Sequence, residues 1–124
     1  MTLELDALGH QPYCHLTTLG RTTGLERTIE IWFALRDGTI YILSGGGAAA
    51  HWVRNLLREP MVHIRIADAV FAGRARLLDE GVEEAAARRL LLEKYQPIYA
   101  GDLTGWSRTS LPVAVDVDLS ADGS

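Results

Sequence analysis

The chain has 124 residues, a formal net charge of −4, 48% hydrophobic and 23% charged residues. That length supports a single domain with a real core, and the acidic balance argues against a general nucleic-acid binder. Cys14 is the only cysteine, which excludes an internal disulfide and a cysteine zinc cluster and fits a reducing cytoplasm.

Residues 1–9 lack a basic segment and a long apolar run, so no signal peptide is expected. No stretch reaches the roughly 18 apolar residues of a membrane helix. The pattern predicts a first strand over residues 13–18. A glycine-bounded turn with two arginines follows, Leu19-Gly20-Arg21-Thr22-Thr23-Gly24-Leu25-Glu26-Arg27-Thr28. A long strand over 28–36 comes next, with Ile29, Ile31, Phe33 and Leu35 on one face by period-two alternation. Asp37-Gly38 is a two-residue hairpin turn, since both positions tolerate positive φ. Residues 39–44 return as the partner strand, with Ile40 and Ile42 opposite Leu35 and Phe33. The other face carries Trp32, Ala34, Tyr41 and Leu43 and is also apolar. It needs a second covering by a ligand, a helix or a second subunit, and Trp32 with Tyr41 is a candidate dimer contact.

The glycine cluster Ser44-Gly45-Gly46-Gly47 leads into a helix over 48–58, with Trp52, Val53, Leu56 and Leu57 as its apolar stripe and Pro60 beyond its end. Strands over 61–66 and 69–78 flank the turn Ala67-Asp68; the first points Val62, Ile64 and Ile66 inward and His63 and Arg65 outward. A second helix covers 82–95, with Glu83 and Glu84 in its first turn and a possible Glu84–Arg88 pair. Pro97 ends it, 101–107 reads as a loop, and 111–119 is the last strand, with Val113, Val115, Val117 and Leu119 on one side. The tail over 120–124 is expected to fray. The order β, β-β, α, β-β, α, β describes a mainly β, antiparallel chain with inserted helices (α+β), a small barrel and not a parallel sheet. The Rossmann pattern G-x-G-x-x-G is absent from the first loop.

Two glycine segments with Arg21 and Arg27 nearby suit a phosphate-bearing ligand, because loop N–H groups surround phosphate oxygens and arginine adds a bidentate fork. His10, His15, His51 and His63 show no metal spacing and read as structural or surface residues. Cys14 reads as a small core residue. Asp116 and Asp118 alternate with valines, the pattern of a solvent face. No hydrolase triad is visible. Missing acid–base machinery suits an enzyme that leaves the chemistry to a cofactor.

Four motifs, in this order and spacing, resemble the deazaflavin-dependent nitroreductase and quinone reductase family. They are Leu16-Thr17-Thr18-Leu19-Gly20-Arg21-Thr22-Thr23-Gly24 with Arg27, Ser44-Gly45-Gly46-Gly47-Ala48, Trp52 with Arg54-Asn55-Leu56, and Trp106-Ser107-Arg108-Thr109 before Leu111-Pro112-Val113. The resemblance spans about residues 13–117 and implies an FMN-binding-like split β-barrel, the superfamily of pyridoxamine-phosphate oxidases and flavin reductases. It implies coenzyme F-420, with Arg21, Thr22, Thr23, Gly24 and Arg27 on its phosphate and acidic tail. By the same resemblance Thr28, Ile29 and Ile31 border the deazaflavin ring, and Ser44, Gly45, Gly46 and Gly47 meet the phosphate and ring edge. Trp52 and Asn55 would meet the tail from the helix, and Tyr95, Tyr99 and Trp106 would wall the substrate. The implied reaction passes a hydride to an electron-poor acceptor: a quinone, an activated alkene or a nitro compound. Two positions depart from the family pattern: Gly45 stands where some members have lysine, and Leu103 where another aromatic sits. FMN is the alternative cofactor, a non-catalytic carrier of the deazaflavin or another apolar ligand the alternative role, and a homodimer a candidate assembly.

Overall fold

A computed structural model describes residues 7–118. Its strands are β1 Cys14–Leu19, β2 Glu26–Ile31, β3 Ala34–Arg36, β4 Thr39–Ser44, β5 Met61–Ile66, β6 Ala69–Leu77 and β7 Leu111–Val117. Its α-helices are α1 His51–Arg58, α2 Val82–Tyr95 and α3 Thr104–Thr109. The expected strand position Leu119 and the tail over 120–124 lie outside the described residues.

All seven strands join one antiparallel sheet in the order β2-β1-β5-β6-β7-β4-β3. β2 and β3 are therefore the two edges, yet only Trp32 and Phe33 separate them along the chain. Two linking residues span on the order of 10 Å at most. The sheet must curl until its edges meet, which makes it a split β-barrel. This corrects the expectation of one strand over 28–36. Alternation could not reveal the break, because Ile29, Ile31, Phe33 and Leu35 pack against the same barrel core on both sides of it. The register pairs Leu35 with Ile40, as expected, but ends at Ala34–Tyr41 and leaves Phe33 outside the ladder. The hairpin turn is as expected, with φ 52° at Asp37 and 80° at Gly38.

Cys14, Leu16, Ile40, Ile42, Val62, Ile64 and Val115 fill the barrel interior. The opposite face of the β3–β4 hairpin is covered by the chain's own helix. Ala34, Tyr41 and Leu43 pack there with Ala87, Leu91 and Tyr95 of α2 and with Leu103. That removes Tyr41 as a dimer contact, while Trp32 stays partly exposed. Tyr41 is 7% exposed and its hydroxyl donates to Glu83 at 2.8 Å, while Trp32 stacks on Tyr95 with ring centroids 4.2 Å apart.

The segment expected as a loop over 101–107 turns into α3 from Thr104 onward. Six residues are too few to show a periodic stripe, so its signals are local. Asp102 accepts from the Thr104 amide at 2.9 Å, and Leu103 is buried. Arg88 makes the expected ion pair with Glu84 and also donates to the carbonyls of Ser107 and Ser110 at 3.0 and 2.8 Å, clamping α3 to α2.

Candidate functional site

Residues 20–25 connect β1 to β2 in a turn tightened by glycine. A Cβ on Gly20 would come within 2.7 Å of the Thr23 hydroxyl oxygen, and Gly24 has φ +71°. The turn uses its own amides. Gly20 N–H donates to Leu25 O at 2.7 Å, Gly24 N–H to Gly20 O at 2.7 Å, and Leu25 N–H to the Thr23 hydroxyl at 3.2 Å. Arg21 N–H donates to Asn55 Oδ1 at 3.2 Å. An amide already bonded in the fold is not free for a phosphate, so the Gly20, Arg21, Gly24 and Leu25 amides drop out of the expected backbone cradle.

Asn55 of α1 is 4% exposed and organises those side chains. Its Oδ1 also accepts from Arg21 Nη1 at 3.0 Å, and its Nδ2 donates to the buried Thr18 hydroxyl at 3.2 Å. One turn earlier, His51 Nδ1 lies 3.3 Å from Arg21 Nη2. The guanidinium is thus held by the Asn55 amide and the His51 ring, with no carboxylate among its partners. Antiparallel pairing sets Arg27 opposite Thr18 and Ile29 opposite Leu16, which brings both onto the inner side of the sheet.

The result is an open cavity of about 490 Å³. Arg21, Thr22, Thr23, Arg27, Thr28, Ile29, Trp52 and Asn55, all expected at a cofactor, line it together with His51. No carboxylate lines it. Gly24 instead borders a neighbouring hollow, which Arg21 shares with Arg58 and Glu59. Thr28 touches the cavity, but its hydroxyl is bonded to that of Thr17 at 2.7 Å, on the other face of the sheet from Ile29. His51 was legible only as a surface histidine. The signal that could have found it is its i,i+4 spacing to Asn55 on the helix face turned to the loop.

A second, open hollow of about 270 Å³ begins farther along β2, between Glu30, Ile31, Trp32, Leu43 and Trp106. The rings of Trp32 and Trp106 meet edge-on at 5.5 Å. The second glycine loop belongs to this neighbourhood. A Cβ on Gly45 would lie 4.0 Å from Trp106, while the Ser44 hydroxyl donates to Gly47 O at 2.9 Å. Ser44, Gly45, Gly46 and Gly47 do not line the arginine cavity. Of the expected substrate wall, Trp106 lines the hollow, and Tyr99 is 48% exposed with its ring edge-on to Trp32. Tyr95 is corrected to a core residue. It is 1% exposed, and its hydroxyl donates to Pro12 O at 2.8 Å and accepts from Phe33 N–H at 3.0 Å. Burial pushes its phenol up to about 12.

Other chemistry is sparse. Burial pushes the Cys14 thiol up to about 12, the opposite of an activated nucleophile. Among the described residues no cluster of His, Cys, Asp and Glu could hold a metal ion, and no helix is long and apolar enough to cross a membrane.

Over residues 4–118 the chain matches the family described as F420H(2)-dependent quinone reductase. The chain belongs to that family. Membership makes it an F-420-dependent oxidoreductase, in keeping with the arginine cavity. Among solved structures, it is similar to the F420-H2 dependent reductase FDR-A, with 28% identity, a TM-score of 0.68, and coverage of 84% of this chain and 93% of that one. A structure described as a domain-swapped dimer is 25% identical, with a TM-score of 0.67 and coverage of 86% and 80%. HutZ, the heme storage protein from Vibrio cholerae, has 16% identity, a TM-score of 0.73 and coverage of 94% and 89%, and shows the split-barrel fold alone. β2 carries residues of both hollows.

Proposed function

We propose that this F420H(2)-dependent quinone reductase family member binds reduced F-420 along β2 and reduces a neutral, electron-poor acceptor beside Trp106. The acceptor is a quinone, an activated alkene or a nitro compound. The observation that carries the reading is the cavity holding Arg21 and Arg27 with no lining carboxylate. Two uncompensated guanidinium groups suit the phosphate and carboxylates of an anionic tail.

Each side chain then has a physical task. Arg21, fixed by Asn55, presents its fork to an anion without first losing its own freedom. Arg27 adds a second cation from the neighbouring strand. Ile29 and Trp52 offer apolar surface to a ring system or linker. Trp32 and Trp106 give the second hollow flat apolar surfaces that suit a planar acceptor, with Glu30 at its side. When bound, the reduced deazaflavin supplies the hydride, and the protein supplies position and an apolar surface.

Titrating the apoprotein with F-420 and, in parallel, FMN tests this by fluorescence. Saturable F-420 binding, weakened in Arg21→Ala/Arg27→Ala, is the expected result. Preference for FMN would move the cofactor to the flavin branch, and tight F-420 binding without turnover of any acceptor would leave a carrier. The domain-swapped relative supports pairing of two copies. Sedimentation at the monomer value across concentrations would reject it.

A further inference from the structure

We infer that Lys94 is a positioning residue for the second hollow: from the end of α2 it holds the Trp32–Phe33 link and so sets the Trp32 ring. Its effect on turnover rests on the reading of that hollow as the acceptor's seat. The link lies between two ladders that both stop short of it. β1 and β2 pair as far as Cys14–Ile31, and β3 and β4 as far as Ala34–Tyr41. The last turn of α2 supplies partners instead. Phe33 N–H donates to the Tyr95 hydroxyl at 3.0 Å. The Phe33 carbonyl has that hydroxyl at 3.1 Å and Lys94 Nζ at 2.8 Å. A hydroxyl has one proton to give, and the Tyr95 hydroxyl has a closer acceptor in Pro12 O at 2.8 Å. The Phe33 carbonyl therefore relies on the ammonium of Lys94.

Lys94 is an expensive residue for a purely structural task. It is half-buried, and among the described residues no carboxylate pairs with it. Burial pushes its ammonium down to about 8. The charge is offset by the Phe33 carbonyl, by the Phe33 ring 3.8 Å beneath it and by the Tyr95 ring at 5.1 Å. An apolar side chain would fill the same place without that desolvation cost. What the lysine adds is direction. With Lys94 and Tyr95 both in place, the link is fixed at two atoms; with Tyr95 alone it can pivot about one hydroxyl. Any pivot reaches the hollow directly, because Trp32 precedes Phe33 and its ring lines the hollow. That ring lies flat on Tyr95 and meets Trp106 edge-on at 5.5 Å. The angle between the two tryptophans, which shapes the surface offered to a planar acceptor, is thus set by the backbone that Lys94 holds.

Lys94→Met on the full chain tests this. The methionine keeps the apolar stem and removes the donor. The Tyr95 proton can then turn to Phe33 O, because Pro12 is exposed and water can serve its carbonyl. No buried acceptor is orphaned, so the urea midpoint should stay at or above that of wild type. Tryptophan indole NMR reads the position. The Trp32 signal should move, while that of Trp52, in the arginine cavity, should stay where it is. The KM for 1,4-naphthoquinone should rise about tenfold, as misplacing a positioning surface does, with F-420 affinity unchanged. An unmoved Trp32 signal would overturn the inference. So would a fallen urea midpoint with the Trp32 and Trp52 signals shifting alike, the mark of an ordinary core residue. A Trp32 signal that moves while quinone kinetics stay the same would put the acceptor elsewhere; the acceptor reading would then fall, and the hold of Lys94 on Trp32 would stand.

Discussion

The arginines of the α2 region and those of the β1–β2 loop are treated in opposite ways. Arg76 donates to both oxygens of Glu83 at 2.8 and 2.7 Å and to Asp116 at 2.7 Å, and Arg88 is closed by Glu84 and two carbonyls. Arg21 is also positioned, but by the Asn55 amide and the His51 ring and not by a carboxylate. Arg27 has no ion pair among the described residues. Neutralised arginines are parts of the fold. An arginine that is positioned but not neutralised keeps its field for something that is not yet there. The contrast separates structure from site without appeal to exposure, since the paired Arg76 is itself on the surface.

The same contrast divides the aromatic residues, and there the largest effect is expected. Tyr95 is fully engaged by Phe33 and Pro12, and Trp32 stacks on it. Tyr95→Ala should cost about 3–5 kcal/mol in urea unfolding, the range for removing a large buried ring. Tyr95→Phe leaves the buried Phe33 amide unpartnered and should cost about 1–3 kcal/mol. An unfolding midpoint unchanged in Tyr95→Phe would mean that this hydroxyl is not part of the closed region.

On the open side the order reverses. Arg21→Ala/Arg27→Ala should leave the unfolding midpoint nearly unchanged. It should weaken F-420 binding on the order of 100-fold, as two solvent-accessible charge-assisted contacts would. A loss of stability with unchanged affinity would assign these arginines to the fold.

Asn55 tests the boundary between the two regions, because it is buried yet holds an open residue. Asn55→Leu strips partners from the buried Thr18 hydroxyl and from Arg21. Unfolding should lose about 1–3 kcal/mol, and F-420 binding should weaken as well. A change in only one of the two readouts would show that the loop and helix are not coupled through this side chain.

Much of this was legible in the sequence, and the failures have physical causes. Strand periodicity placed β1, β4, β5 and β6, and Asp37-Gly38 placed the hairpin. The break at Trp32-Phe33 was invisible because crossing from one barrel edge to the other keeps the same inward face. Tyr95 looked like a substrate residue because its partners, Phe33 and Pro12, are 62 and 83 positions away. The loop motif brought Arg21 and Arg27 to one cavity, but nothing local says that the Gly20, Gly24 and Leu25 amides bond within the turn or that the Arg21 amide goes to Asn55. His51 was passed over because its role depends on Arg21, thirty positions earlier.

The smallest effect concerns the closed arginines and has a fixed sign. Hydrogen bonds from Arg76 hold the Glu83 carboxyl below its ordinary 4.5 and that of Asp116 below its ordinary 3.8, with Tyr41 and Thr39 as lesser donors. Carboxylates with lowered folded values bind fewer protons folded than unfolded. Their contribution to stability is therefore complete above about pH 4.5 and is lost as pH falls through the folded values. The three side chains are 41–49% exposed, so solvent screening keeps this contribution modest. Arg76→Gln should narrow the stability gap to wild type as the solution is acidified, while F-420 affinity at neutral pH stays the same. Urea midpoints measured across the acid range check this. Parallel curves for the two proteins would mean that Arg76 is no more neutralised than Arg21, and the distinction between closed and open arginines would fail where it is most exposed to solvent.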